Sequence, residues 1–372
     1  MLARTKNKRS QRTPTKHNAL RAILPLTFVA GALTLTACGS QTSSTHTAHS
    51  AQGNAAQTDP LACGSNTAAP LSWTSAGPLI SPKEGDFAVK DPTVVYYNNQ
   101  YHIFATINDG NWKSMQITLD NLDAQATTNY QPFSPGNTGS SAVAPQVFYF
   151  TPQKTWYMFT QWPASYTTNQ NIEDANGWIP RVTLPEGSKG AYKGNSLDFW
   201  VICNDADCYM YYFKDDGKMY YMSTPVDNFP NFDPDTFKVA DIEDSGPTNI
   251  VFEAGNIYKI KNSDYYLLQV EGWGETESRR LYRSWISTSL DGPWIAHHTD
   301  ESAPFAGPEN TTFNGPAWSH QISHGEMIRD GYDEKMVLDP CNMQMLYQGV
   351  DLNGFNGNYG ERPYHIGVLK QK

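Results

Sequence analysis

Val89-Lys90-Asp91-Pro92-Thr93-Val94, Ser196-Leu197-Asp198-Phe199-Trp200 and Ile250-Val251-Phe252-Glu253-Ala254 are three stretches of one kind, and their spacing decides the fold. Each sets one carboxylate among apolar or aromatic residues at the head of a β-rich run. A fourth head, Ala144-Pro145-Gln146-Val147, keeps the phase without a carboxylate. Asp91 to Pro145 is 54 residues, Pro145 to Asp198 is 53 and Asp198 to Glu253 is 55, and a fifth head near His324 follows after 71. Each run breaks into short strands at Asn, Gly and Asp turns. Examples are Thr93 to Tyr97 with Tyr101 to Thr106, Ala144 to Phe150 with Trp156 to Trp162, and Glu253 to Ile260 with Tyr265 to Val270. The third run adds Phe199 to Ile202, Tyr209 to Phe213 and Met219 to Ser223. No segment of useful length has a helical period. Repeats of this size with about four strands each are the signature of a β-propeller, and the length admits five. The expected fold is all-β, a five-bladed β-propeller. A β-sandwich or jelly roll with coincidental spacing is the competing architecture.

In a propeller the innermost strand of every blade lines a central channel, so equivalent positions converge. Three carboxylates at the heads would meet at one mouth of that channel. A carboxylate among apolar neighbours is costly unless it is paired or used. Clustered carboxylates push one another's pKa values apart and so separate acid from base. Singly, Asp91 and Asp198 read as turn residues and Glu253 as half of an ion pair. Their matching phase in three repeats argues for shared use.

Residues 1–37 carry seven Lys and Arg and no acidic residue, and an apolar run from Ala22 to about Leu35 follows the charges. That order is a positively charged region and then the hydrophobic region of an export signal. The run ends in Leu35-Thr36-Ala37-Cys38, which resembles the lipobox of bacterial lipoproteins, with Cys38 as the lipidated residue. An ordinary secretory signal with an incidental cysteine is the alternative. Residues 39–60 are polar and small, cannot bury enough surface to fold, and read as a disordered tether spanning roughly 25 Å. The folded domain is expected over 61–372.

Once 1–37 is removed, 20 of the 27 basic residues remain against 37 acidic ones, a net charge of about −17. So acidic a body argues against nucleic acid or an anionic membrane surface as partner. Membrane contact is expected only through the lipid. With Cys38 assigned to lipid, Cys63, Cys203, Cys208 and Cys341 remain, an even set for an oxidising compartment. Cys203 and Cys208 flank a short polar turn and suggest a bridge closing a hairpin. That leaves Cys63 with Cys341. Zinc on four cysteines is disfavoured, because no C-x-x-C pair is present.

The chain resembles the glycoside hydrolase family 62 α-L-arabinofuranosidases, within a clan of five-bladed propeller glycosidases. The resemblance runs from about Trp73 to Leu369. It rests on Lys90-Asp91-Pro92, Ala144-Pro145-Gln146-Val147, Gln161-Trp162, Leu197-Asp198-Phe199-Trp200 and Phe252-Glu253-Ala254. It continues through Ser323-His324-Gly325-Glu326, Asp339-Pro340-Cys341-Asn342, Leu346-Tyr347-Gln348-Gly349 and Pro363-Tyr364-His365-Ile366-Gly367. It implies an inverting exo-glycosidase with Asp91 as general base, Glu253 as general acid and Asp198 as the carboxylate that orients the acid and raises its pKa. Lys90 matches a contact to the arabinose hydroxyls. Trp162 offers an apolar face to the sugar, and Tyr359 matches a residue closing its pocket. His324 matches a ligand of an axial, structural Ca²⁺; the chemistry itself needs no cofactor. The implied partner is arabinoxylan or an arabinan-type polysaccharide, acted on by a monomer. His365 stands where the family commonly has Arg, and 111–122 and 173–195 match loosely. Rivals are an endo-arabinanase or β-xylosidase of the same clan, and a non-catalytic glycan-binding lipoprotein.

Overall fold

The computed structural model describes residues 59–63, 70–123, 127–133, 142–189, 191, 196–275 and 279–372. The export segment with Cys38, and the tether up to residue 58, lie outside the described residues. Among those residues there are 22 β-strands and short 3₁₀ turns, with no α-helix.

The strands form five sheets. From the channel outward, the first is Ala88–Tyr97, Gln100–Asn108, Trp112–Leu119 and Gln131–Phe133. The second is Val143–Phe150, Thr155–Gln161, Ser165–Asn169 and Val182–Thr183; the third is Leu197–Cys203, Asp207–Phe213, Met219–Pro225 and Lys238–Val239. The fourth is Glu253–Ile260, Tyr266–Trp273, Arg280–Ser287 and Ile295–His298, with Val337–Leu338 added parallel to its inner strand. The fifth is composite: Ser323–Met327, Gln344–Gly349, His365–Gln371, Trp73–Ser75 and Thr311–Phe313. The inner strands touch one another in a ring. The five-bladed propeller expected from the repeat is present, and all five proposed heads fall on inner strands.

The inner strands read as unbroken apolar runs because neighbouring blades cover both faces. Leu197–Cys203 is buried at every residue. Such strands show no alternation, so the repeat and not the periodicity reveals them. The long fifth interval also has a cause. After the fourth blade the chain first lays down Thr311–Phe313 at the outer edge of the fifth, then returns to the axis at Ser323. Closure joins the two ends of the domain. Trp73–Ser75 pairs antiparallel with His365–Gln371, and the buried Trp73 donates its indole N–H to the Phe305 carbonyl at 2.7 Å. The disulfides are Cys63–Cys341 and Cys203–Cys208, as expected.

Each inner strand carries a β-bulge near its start, after Lys90, Val143, Leu197, Glu253 and Ser323. The next residue leaves the ladder: Asp91, Ala144, Asp198, Ala254 and His324. The first four of these adopt the left-handed backbone, with φ of 51°, 45°, 54° and 51°. A bulge of this kind turns one side chain out of the pleat. It also frees an amide, and each freed amide is taken by a side chain of the preceding blade. Asp91 N–H donates to Gln348 at 3.0 Å, Ala144 N–H to Thr106 at 2.9 Å, and Asp198 N–H to Gln161. Ala254 N–H donates to the Asp198 carboxylate at 3.0 Å, and His324 N–H to Glu271 at 2.6 Å. Four acceptors sit at one position of the second strand, facing the residue before the bulge. In the third blade that position is Phe213, which cannot accept, and Asp198 serves instead. Phe213 packs on Gly255, where a Cβ would lie 2.4 Å from its ring.

Further down the fifth inner strand, buried Glu326 lies 3.1 Å from Arg329, whose Nη2 also donates to the carbonyls of Val94 and Val147 at 2.7 and 2.8 Å. Burial pushes the Glu326 carboxyl up to about 7, against the opposing pull of Arg329. The folded state therefore holds this proton more tightly than the unfolded chain. The resulting stability is complete below about pH 4.5 and is lost as pH rises through about 7, up to about 3 kcal/mol.

Two measurements follow. Thermal melts from pH 5 to 8 should show a smaller fall in Tm for Glu326→Gln than for the parent, since Gln mimics the protonated acid; equal slopes would clear Glu326 of the effect. The paired change Cys63→Ser with Cys341→Ser, which opens a bridge spanning 278 residues, should cost about 2–5 kcal/mol in denaturant melts. Opening the five-residue Cys203–Cys208 bridge should cost less.

Candidate active site

The bulges aim Asp91, Asp198 and His324 at one point on the axis. His324 Nδ1 lies 3.4 Å from Asp91 Oδ1 and 3.8 Å from Asp198 Oδ2. Ala144 and Ala254 hold the same position in the second and fourth blades. Glu253 therefore does not share the phase of the two aspartates, as the sequence suggested. It precedes its bulge and corresponds to Lys90, Val143, Leu197 and Ser323. The reason lies in the ladder: Glu253 is still paired, opposite Glu271, while Asp91 and Asp198 have left theirs. This one-residue offset moves Glu253 off the axis.

All seven residues expected at the site line one pocket of about 180 Å³: Lys90, Asp91, Trp162, Asp198, Glu253, His324 and Tyr359. Thr106, Trp112, Val143, Gln161 and Leu197 complete the wall. The volume suits one sugar ring. A larger cavity of about 430 Å³, beside Cys63–Cys341, has no such convergence of acids. Trp162 and Tyr359 stand at the lip, 50% and 49% exposed. Lys90 donates to the Tyr359 hydroxyl at 3.1 Å and lies over the rings of Trp112, Tyr359 and Tyr364 at 5.2 to 5.5 Å.

Burial and charge divide the carboxyls. Burial raises Asp91, but Lys90 at 3.4 Å and the nearby His324 outweigh it and hold the carboxyl below its usual range. Burial likewise opposes the charge of Lys90, yet Asp91 and Tyr359 win and raise its pKa. Asp198 goes the other way. Burial, then Glu253, Asp91 and Glu271, push it well above the carboxylate range, with the Ala254 amide opposing. Arg280 bridges Glu253 (Nη1–Oε1 2.6 Å) and Glu271, and its guanidinium lies 4.4 and 4.1 Å from the rings of Phe252 and Trp273, which meet edge to face. Both carboxylates hold it charged against its burial.

Sequence reasoning missed three charged neighbours. Glu271, fully buried in Leu267-Leu268-Gln269-Val270-Glu271, carried the same signal as the others but stands at the end of a strand, not at a head. Arg280 follows Arg279 at the start of a strand, and nothing in the sequence singled it out. Asp215, in the turn Lys214-Asp215-Asp216-Gly217, read as turn chemistry alone. It hydrogen-bonds Glu253, and burial, with Glu253 next, pushes it up to about 6. Asp215 stands exposed on the rim, so water softens that coupling.

A hard cation at His324 would meet one imidazole and the oxygens of Asp91 and Asp198 in a net acidic pocket. That donor set fits Ca²⁺ only if water completes the shell.

A family model described as glycosyl hydrolase family 62 matches residues 72–370. Alpha-L-arabinofuranosidase C of Cellvibrio japonicus is 42% identical over 305 residues, 82% of this chain and 48% of the relative. The chain thus spans about half the length of that curated relative. Among solved structures, the catalytic domain of a GH62 α-L-arabinofuranosidase from Coprinopsis cinerea is 38% identical, covers 82% of this chain and 98% of its own, and superposes with a TM-score of 0.75. An α-L-arabinofuranosidase from Podospora anserina, solved with cellotriose, is 33% identical over 82% and 97%, with a TM-score of 0.74.

The carboxyl coupling can be read without any substrate. In carboxyl-carbon NMR, Asp215 should titrate near pH 6, and Glu253→Gln should lower that midpoint by about one unit. An unmoved midpoint would show that burial alone sets it.

Proposed function

Because the chain belongs to glycosyl hydrolase family 62, we propose that it is an inverting, exo-acting α-L-arabinofuranosidase that releases arabinose side chains from arabinoxylan or a related plant polysaccharide. The observation that carries this reading is the single-ring pocket, with Asp91 and Asp198 at its floor, Glu253 to one side and Tyr359 at its lip.

Asp91, kept ionised by Lys90, takes a proton from water as it attacks the anomeric carbon. Glu253 gives a proton to the departing glycosidic oxygen, its carboxyl aimed by Arg280 and hydrogen-bonded to Asp215. Inversion requires base and acid to stand about 6.5–9.5 Å apart with water between base and sugar. The off-axis position of Glu253 supports that separation. Asp198 orients the acid through the Ala254 amide, the residue after Glu253. Lys90 and Tyr359 hold the sugar hydroxyls, and Trp162 offers an apolar face to the ring. A bound Ca²⁺ at His324 would add positive charge beneath the acidic floor.

Xylotriose in another solved GH62 hydrolase, and cellotriose in the Podospora enzyme, support a β-1,4-linked backbone across the lip. The pocket volume weighs against an endo-arabinanase, and the complete set of three carboxylates weighs against a non-catalytic binder. The two disulfides suit an oxidising compartment outside the cytoplasm. Residues 1–38 as a lipoprotein signal, 39–60 as a tether whose end is already held to the fourth blade through Asp59 and His297, and 61–372 as the catalytic propeller complete the proposal, with a monomer acting at the cell surface.

Incubation with arabinoxylan should release arabinose alone; xylose or arabino-oligosaccharides as products would refute the reading. Asp91→Asn and Glu253→Gln should each lower kcat by about 10²–10⁴-fold. Asn tolerates the left-handed backbone of position 91, so the circular dichroism of that variant should be unchanged.

A further inference from the structure

Far along the fourth blade from this pocket's acids, a second set of ligating side chains gathers among the described residues: Asp59, His297 and His298. The histidines end the outer strand Ile295–His298. In a regular strand consecutive side chains point to opposite faces. Here the ladder with Arg280–Ser287 slips, pairing Ser284 with His298 but Trp285 with Ala296, so His297 is an extra residue. The slip brings both rings together, their centroids 4.3 Å apart at 79°. Asp59 arrives from the N-terminal side, and its Oδ1 lies 3.0 Å from His297 Nε2. One ligand atom from each residue lies within 4.8 Å of the others. His297 Nδ1 is buried without a hydrogen-bond partner, so Asp59 holds the ring by its other nitrogen alone. Asp59 and His298 open onto the cavity of about 430 Å³ beside Cys63–Cys341.

We propose that Asp59, His297 and His298 form a zinc site, with water from the cavity as fourth ligand, that clamps the N-terminal segment to the fourth blade. Two imidazoles and a carboxylate suit zinc, at about 2.0–2.2 Å from the metal. Ligand atoms around a tetrahedral ion stand about 3.4 Å apart, so closing the set takes side-chain movements of about 1 Å. Calcium, which prefers oxygen, is excluded by the donor set. Asp59 lies four residues ahead of Cys63, whose disulfide holds the segment to Cys341 in the fifth-blade region. The metal adds a second fastening on a different blade, and binding to the folded state alone raises stability.

The test uses the full chain, stripped with chelator and titrated with zinc chloride by calorimetry and thermal melts. One zinc per chain is expected, with a higher Tm. Asp59→Asn and His298→Ala should each weaken binding at least about tenfold. Replacing His46 and His49, which lie upstream, should leave it unchanged. Cobalt(II) in the parent protein should give the intense visible bands of four-coordinate metal. These bands do not depend on any variant folding. Absence of heat and of a Tm shift at millimolar zinc would overturn the site, as would affinity unchanged in both Asp59→Asn and His298→Ala. Six-coordinate cobalt bands would overturn it too.

Discussion

Five backbone amides, each released by a bulge and each held by a side chain of the preceding blade, are the constraint on which this propeller depends. The contacts run from fifth blade to first, first to second, and onward until Glu271 of the fourth blade holds His324 of the fifth. A buried amide without a partner costs about 1–3 kcal/mol. Losing any one acceptor would therefore leave an amide unpaired and loosen a blade interface together. The same contacts set blade phase, because each amide can meet its acceptor in only one rotation of its sheet about the axis.

The ring also builds the candidate active site. A bulge turns its first residue toward the axis in every blade, and chemistry follows from what occupies that position. Alanine in the second and fourth blades leaves room. Aspartate in the first and third, with histidine in the fifth, fills the floor with titratable groups. Glu253 stands one residue earlier, on the paired part of its strand, so one backbone device yields two depths. Asp198 serves twice, accepting the Ala254 amide because Phe213 cannot, and facing three other carboxylates. Structural and chemical duties meet in that one side chain.

Charge compensation in the pocket is unequal, and the inequality has a use. Lys90 is dedicated to Asp91, whereas Arg280 is divided between Glu253 and Glu271. Asp198 has no Lys or Arg partner among the described residues, and faces His324 at 3.8 Å. The two aspartates accordingly part: Asp91 is held below the usual carboxylate range, and Asp198 is pushed above it by burial and its acidic neighbours. Phe252 and Trp273 pack against the Arg280 guanidinium and hold it beside the two carboxylates it serves. The acidic excess of the whole chain is no obstacle to a neutral glycan.

Much of this was legible in the residues themselves. A repeat near 54 residues, with strand-like runs and turn chemistry, determined an all-β propeller of five blades. Carboxylates among apolar neighbours marked Asp91, Asp198 and Glu253, and cysteine parity with the hairpin turn led to both bridges. Glu271, Arg280 and Asp215 stayed hidden because each lies away from a repeat head, on a strand end or in a turn whose composition has a sufficient local explanation. Only the tertiary structure decided the one-residue offset of Glu253, the closure of the fifth blade by Trp73–Ser75, and the meeting of Asp59 with His297 across 238 positions. Sequence spacing counts residues along the chain, whereas a bulge adds a residue to one strand without changing the spacing of the repeat. Which side chain then faces the axis is settled only when neighbouring blades offer, or fail to offer, an acceptor for the freed amide.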